Sequence, residues 1–401
     1  MIADVRTATD IRDQFLLDPT VVFLNHGSFG ACPKPVFAEY QRWQAELERQ
    51  PVEFLGRRGE ALLDEAREHL GAYLNVGADD LVFIQNATAG INVIARSLPL
   101  EQDDEVLTTD LEYGALDQTW QHICSKTGSR YLRQPVPLPV GDPSAVVDAI
   151  WSGVTPRTKV LFISHITSGT ALTLPVAALC RRAREADILS VIDGAHVPGH
   201  LPLDLDALGA DVYAGNCHKW LCAPKGSAFL YVRPEQQTWV ESLIVSWGWV
   251  PESGHHRPTQ NFVSRNQWQG TRDLAAFLAV PAAIAFQKEH DWDSVRAECH
   301  KRTVDTWRRI TELTGLPPLS ADPPDGGWAW FSQMAANPLP AVNAEAFKRR
   351  LYDDYRIEIP IHRWGDGSLI RVSVQGYNST SDLDHLVAAV EQLLADRSLR
   401  L

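Results

Sequence analysis

From Leu81 to Val232 the chain repeats one pattern: a short apolar run of β character, a turn of small and polar residues, then a segment with helical spacing. The runs are Leu81 to Ile84, Asp104 to Thr109, Val160 to Ile163, Ile188 to Ile192, Asp211 to Gly215 and Gly226 to Val232. Such a series specifies an open α/β sheet, and sheets of that kind hold ligands at the carboxyl rim of their strands. A polar residue follows five of the runs at that rim: Thr88, Tyr113, Ser168, Asp193 and Lys219. Any one of these alone is weak evidence. Five strand ends converging on one small molecule is an argument.

The stretch from Val191 to Trp220 sharpens it. One run delivers the carboxylate of Asp193, and the next delivers the amine of Lys219 soon after. An isolated Asp would cap a turn, and an isolated Lys would sit in water. Together, at strand ends, an amine and an acid meet the electronic requirement of pyridoxal phosphate chemistry. The amine forms a Schiff base with the aldehyde, and the acid keeps the pyridine nitrogen protonated. His196 lies three residues past Asp193, and His218 adjoins Lys219.

The residues that carry this reading, Asp193-Gly194-Ala195-His196, Asn216-Cys217-His218-Lys219-Trp220 and Pro224-Lys225-Gly226, resemble the class V aminotransferase family of fold type I pyridoxal phosphate enzymes. Leu24-Asn25-His26-Gly27-Ser28-Phe29-Gly30 and Gln269-Gly270-Thr271-Arg272-Asp273 belong to the same pattern, so the resemblance covers nearly the whole chain. Within the family the look is closest to the isopenicillin N epimerase branch and its carbon-sulfur and carbon-nitrogen lyase relatives.

The resemblance implies a large domain over residues 21–275, built on a mostly parallel seven-stranded sheet between helices. It also implies a small C-terminal α+β domain over 276–401 and an N-terminal segment, 1–20, packed on the small domain. Lys219 would be the Schiff-base lysine and Asp193 the pyridine-nitrogen partner. Ala87 and Thr88 would hold the cofactor phosphate at a helix start, Tyr113 would stack on the ring, Ser168 would meet its phenolic oxygen, and His196 would reach that oxygen or the nearby aldehyde. His218 would be a phosphate ligand. Thr271, after Gly270, would cross to the phosphate of a neighbouring subunit, which makes a homodimer with shared sites the expectation. Asn25 and His26 would stand near the substrate carboxylate, with Arg371 as its clamp; a guanidinium on a rigid strand suits bidentate binding of a carboxylate. No metal is expected.

Composition limits the alternatives. The net charge of −13 disfavours a nucleic-acid or anionic-membrane partner, and no apolar run approaches the length of a membrane span. Six cysteines are scattered without metal-ligand spacing, and the amino terminus lacks the apolar core of a signal peptide, so a cytoplasmic enzyme with reduced thiols is expected. The Trp-rich excursion from Trp239 to Arg272 reads either as a subunit interface or as a lid.

The cofactor of such an enzyme stabilises a carbanion, and the protein chooses what leaves. Desulfurases of the family need a thiol in the loop before the arginine. Ile359 to Ser368 holds none, so persulfide transfer is disfavoured. An epimerase or lyase acting on an amino acid or peptide-like amino acid is the expectation, with an aminotransferase as the alternative. A cofactor-binding regulator would ordinarily add a DNA-binding domain, which the sequence does not display.

Overall fold

The computed structural model of the protein describes residues 11–249, 261–322 and 328–401. Seven strands form the main sheet: β1 (Leu81–Ile84), β2 (Glu105–Thr109), β3 (Arg130–Gln134), β4 (Thr158–Ser164), β5 (Leu189–Asp193), β6 (Val212–Asn216) and β7 (Ala228–Val232). They lie in the order β1-β7-β6-β5-β4-β2-β3. β2 to β6 pair in parallel, whereas β7 runs antiparallel between β1 and β6. Parallel neighbours need a crossover, usually helical. The link from Asn216 to Ala228 carries no helix, so the chain must turn back on itself there. Lys219 sits in that reversal.

Side chains that alternate along a strand point to opposite faces. Phe162, Val191, Val212 and Ala214 accordingly enter one apolar cluster, while Leu161, Ile163, Ile192 and Tyr213 enter the other. Burial on both faces explains why these strands read as continuous apolar runs. β3 is the exception that the sequence reading passes over. As an edge strand it leaves Arg130 and Arg133 in water, so its apolar signal is diluted.

A second, antiparallel sheet has the order β9-β10-β8, from β8 (Met334–Leu339), β9 (Ile361–Trp364) and β10 (Gly367–Ser373). Helices Trp292–Thr314, Ala344–Tyr355 and Thr380–Ala395 contribute Ile310, Leu351 and Leu386 to the core beneath it. The spacing after Asp273 predicts one long helix from Leu274 to about Glu289, but the structure divides it into Ala275–Leu278 and Val280–Glu289. Pro281 explains the break, since proline lacks an N–H and clashes with the carbonyl four residues earlier. Alternation at Trp328 to Phe331 suggests a strand, yet β8 begins only at Met334.

The early chain is stitched to this smaller unit. Val22–Phe23 pairs in parallel with Ile357–Glu358, and Asn25 bridges Ser373. Arg12 pairs with Asp382, and the Phe15 ring meets Tyr377 edge-on at 5.0 Å. The loop from Asn25 to Gly30 therefore lies where the small sheet meets the Lys219 reversal.

Candidate active site

Asp193 ends β5 and is buried, and its Oδ1 accepts the Ala195 amide at 3.0 Å. Burial pushes its carboxyl above the usual range, against the pull of that amide and of Lys219. Lys219 is half-buried, with Nζ 3.2 Å from His196 Nε2. Burial lowers the amine to about 8, opposed by Asp193 and assisted by Arg371. A lysine so tuned is a far better nucleophile and base at neutral pH than one in water.

The floor under Lys219 is built by the early loop. Gly30 has φ +71°, and a Cβ there would stand 2.2 Å from the His218 carbonyl oxygen and 2.9 Å from Lys219 Cα. Only glycine allows that approach. His26 is fully buried: its Nε2 donates to the Lys219 carbonyl at 3.1 Å, and its Nδ1 accepts from the Tyr377 hydroxyl at 2.8 Å. Burial holds this ring neutral, at about 3. Both nitrogens are engaged within the protein, so His26 grips the lysine from below.

Arg371 comes from β10 and is buried to 2 % exposure. Nη1 donates to the Ser168 carbonyl, and Nη2 donates to Ser28 Oγ at 3.1 Å, while Nε has no partner. Ser28 in turn donates to Asn25 Oδ1, and Asn25 donates to Glu358 at 3.0 Å. No carboxylate among the described residues pairs with Arg371, and burial lowers its guanidinium to about 10. An unpaired buried cation is costly. It is tolerated where an anionic ligand completes it.

The rim residues from the other strands divide. Ala87 and Thr88 open helix Ala87–Ser97 after β1, as a phosphate cradle requires, with Asn86 capping the Ala89 amide. The Ala87 amide, however, is taken by Asn216 Oδ1 at 2.8 Å, which leaves Thr88 as the free donor of that turn. Tyr113 is 45 % exposed at the start of helix Gly114–Thr127, and its hydroxyl makes no hydrogen bond among the described residues. Ser168 stands against Arg371 through its backbone oxygen. His218 Nδ1 donates to the Ser227 carbonyl at 2.9 Å. Thr271 lies on an exposed stretch and bonds to none of the Lys219 rim residues. The structure thus brings Lys219, Asp193, His196, Ser168, Asn25, His26 and Arg371 to one junction, and leaves Thr271 outside the chain's own hydrogen-bond network there.

Glu112 was not singled out by the sequence. It is buried beside Tyr113 and accepts from Thr109 Oγ1 at 2.6 Å and from the Ser164 amide at 2.9 Å. Burial raises it to about 8, against the bonds from Ser164 and Thr109. An acid next to an aromatic at a strand end was the available signal.

The class-V aminotransferase family model matches residues 33–325. An isopenicillin N epimerase from Amycolatopsis lactamdurans is 37% identical over 393 residues, 95% of this chain and 97% of the relative. A probable chloroplastic L-cysteine desulfhydrase from Arabidopsis thaliana is 26% identical, covering 97% of this chain and 86% of its own. Among solved structures, a C-DES mutant with glycine covalently linked to its PLP cofactor superposes with a TM-score of 0.83 at 22% identity, covering 96% and 99% of the two chains. The residue pattern, the sheet order and these matches agree: the chain belongs to the class V aminotransferase family, a group of fold type I, pyridoxal-phosphate-dependent enzymes.

Proposed function

We propose that the protein acts on the α- or β-carbon of an amino acid or peptide-like amino acid, as an epimerase of the isopenicillin N type or as a carbon-sulfur or carbon-nitrogen lyase. The observation that carries the reading is the unpaired, buried Arg371 guanidinium at the same junction as the Lys219 amine and the Asp193 carboxylate. A cation waiting for an acid and an amine tuned to move a proton are what a substrate with an α-carboxylate and an α-hydrogen requires.

The residues fit pyridoxal phosphate. Lys219 would hold it, Asp193 would stand as the acid for its ring nitrogen, and Thr88 at the helix start would take its phosphate, with Tyr113 presenting an unbonded aromatic face. When bound, the group supplies the electron sink that stabilises negative charge at the substrate α-carbon. Arg371 orients the substrate by its carboxylate, with Ser28 and Ser168 fixing the guanidinium. Nζ of Lys219 takes the α-proton; elimination then passes it to the leaving group, whereas inversion requires a proton delivered to the opposite face of the α-carbon, by a second acid or by a displaced lysine.

The loop before Arg371, which β9 and β10 shape, holds no cysteine, which supports proton chemistry or elimination over persulfide transfer. The epimerase relative covers this chain at higher identity than the desulfhydrase, and that supports the first of the two reactions. A homodimer is part of the proposal. The exposed Thr271 and the exposed apolar residues Leu243, Ile244, Val245 and Trp249 support it, while residues 250–260 of the same Trp-rich excursion lie outside the described residues.

Incubation with candidate amino acids in deuterated water tests the reading. Exchange with inversion is expected for an epimerase, and release of ammonia with a keto acid for a lyase. Conversion of the cofactor to its amine form, with neither of those products, would replace the reading by transamination.

A further inference from the structure

Trp220 follows the lysine and is fully buried. Its indole Nε1 donates to His196 Nδ1 at 3.5 Å, and the opposite nitrogen of that imidazole, Nε2, faces Lys219 Nζ at 3.2 Å. An indole N–H can only donate, so His196 Nδ1 must carry a lone pair. Burial keeps His196 neutral, and Lys219, Arg371 and His200 all oppose a charge on it. Its single proton is then on Nε2 and points at the lysine. Two donors cannot share one hydrogen bond, so the arrangement is complete only when Nζ offers a lone pair.

The indole is itself held in place. His200 stacks on it with centroids 4.0 Å apart and an interplanar angle of 26°. The His200 tautomer is fixed as well: Nδ1 donates to the His196 carbonyl at 3.0 Å, and Nε2 accepts the Gln333 amide at 3.0 Å. Gln287 binds the Trp220 carbonyl at 2.8 Å. Thus a rigid ring pair, anchored on backbone groups, aims one N–H at His196.

We propose that Trp220 is a positioning residue that fixes His196 as the Nε2–H tautomer and thereby holds Lys219 as an uncharged amine. The other charged or titratable groups facing the pair are Asp193 on β5, Arg371 on β10, His200 in the turn after β5, His218 next to the lysine, and His26 of the early loop, which bonds the Lys219 carbonyl and packs on Trp220. Asp193 favours the ammonium and Arg371 the amine, so the oriented imidazole adds to the bias of Arg371 and opposes that of Asp193. Towards pyridoxal phosphate held on Lys219, the same tautomer would present a donor, which rests on the function proposed above.

Nitrogen-15 spectra of the cofactor-free protein, with histidine labelled and His196 assigned through His196→Gln, read the tautomer directly. The expected spectrum has a protonated Nε2 and an unprotonated Nδ1; the reverse pattern would overturn the proposal. In Trp220→Phe the Nε2–H preference should be lost, and the pH midpoint for capture of pyridoxal phosphate should rise by about one unit, the size of one lost neutral hydrogen bond. An unmoved midpoint in a folded Trp220→Phe protein would equally overturn it. Should that variant fail to fold, benzothienylalanine at position 220 keeps the shape and removes only the N–H, with the same outcomes expected. If the unaltered protein captures no cofactor at any pH, the proposed function fails, while the spectra still decide the tautomer.

Discussion

At the scale of single residues, the chemistry rests on groups whose ordinary behaviour is altered by their surroundings. Lys219→Ala should abolish the yellow absorbance of bound cofactor and all α-hydrogen exchange, with the unfolding temperature little changed. Arg371→Ala should raise KM for amino acids by about 100- to 1000-fold, because removing a buried partner of a carboxylate costs several kcal/mol. Arg371→Lys should not restore it, since an ammonium cannot reproduce a fork shared among Ser168, Ser28 and the substrate. Steady-state kinetics of both variants check this. Lys219 and Asp193 were legible as an amine and an acid following successive strand-like runs, and Arg371 through the family resemblance. Glu112 and Trp220 were not, since what matters in each is one contact across the fold: Glu112 to Ser164, and Trp220 to His196. His26 was legible as a member of the early loop, but its bonds to the Lys219 carbonyl and Tyr377 depend on how that loop packs.

At the scale of elements, the site is made by two connections. The β6–β7 reversal presents Lys219, and the Asn25–Gly30 loop, tied to the small sheet through Asn25 and Ser373, braces it from below. Gly30→Ala should therefore lower stability by about 1–3 kcal/mol and weaken cofactor retention together, from the clash with His218 and Lys219 and the left-handed backbone. Urea unfolding and cofactor absorbance at dialysis equilibrium measure the two effects. Strands buried on both faces announced themselves as apolar runs, while edge strand β3 did not, because Arg130 and Arg133 face water and none of its residues is buried. The helix after Leu274 has helical spacing across its whole length, and only Pro281 marks the division that the structure makes.

At the scale of the whole molecule, burial of neutral histidines shapes the response to acid. His26, His165 and His200 are buried, and burial lowers them to about 3, 4 and 3, below the ordinary 6.5. The unfolded chain binds more protons than the native one between those values and 6.5. Their contribution to stability is thus complete above pH 6.5 and is lost as pH falls towards 3, on the order of 3–5 kcal/mol for each ring. Glu112, raised to about 8, acts in the opposite sense and offsets about one ring as pH falls to 4.5. The urea midpoint should still fall from pH 6.5 to pH 4, and a rise over that range would contradict the neutral burial of these rings. Sedimentation should give a dimer; a monomer that retains full activity would rule out the shared site at Thr271. The union of the large sheet with the smaller one was readable from the alternation of runs and helices, but the position of the early chain against Ile357–Glu358 was not, since two short strands carry no periodicity.

The central claim is that Lys219, facing Asp193 across the rim, is the amine that holds the cofactor. Borohydride reduction of the protein with bound pyridoxal phosphate, followed by peptide mass spectrometry, tests it most directly. A single phosphopyridoxyl adduct on the peptide carrying Lys219 is the expected result. An adduct on another lysine, such as Lys225, with Lys219 unmodified, would contradict it.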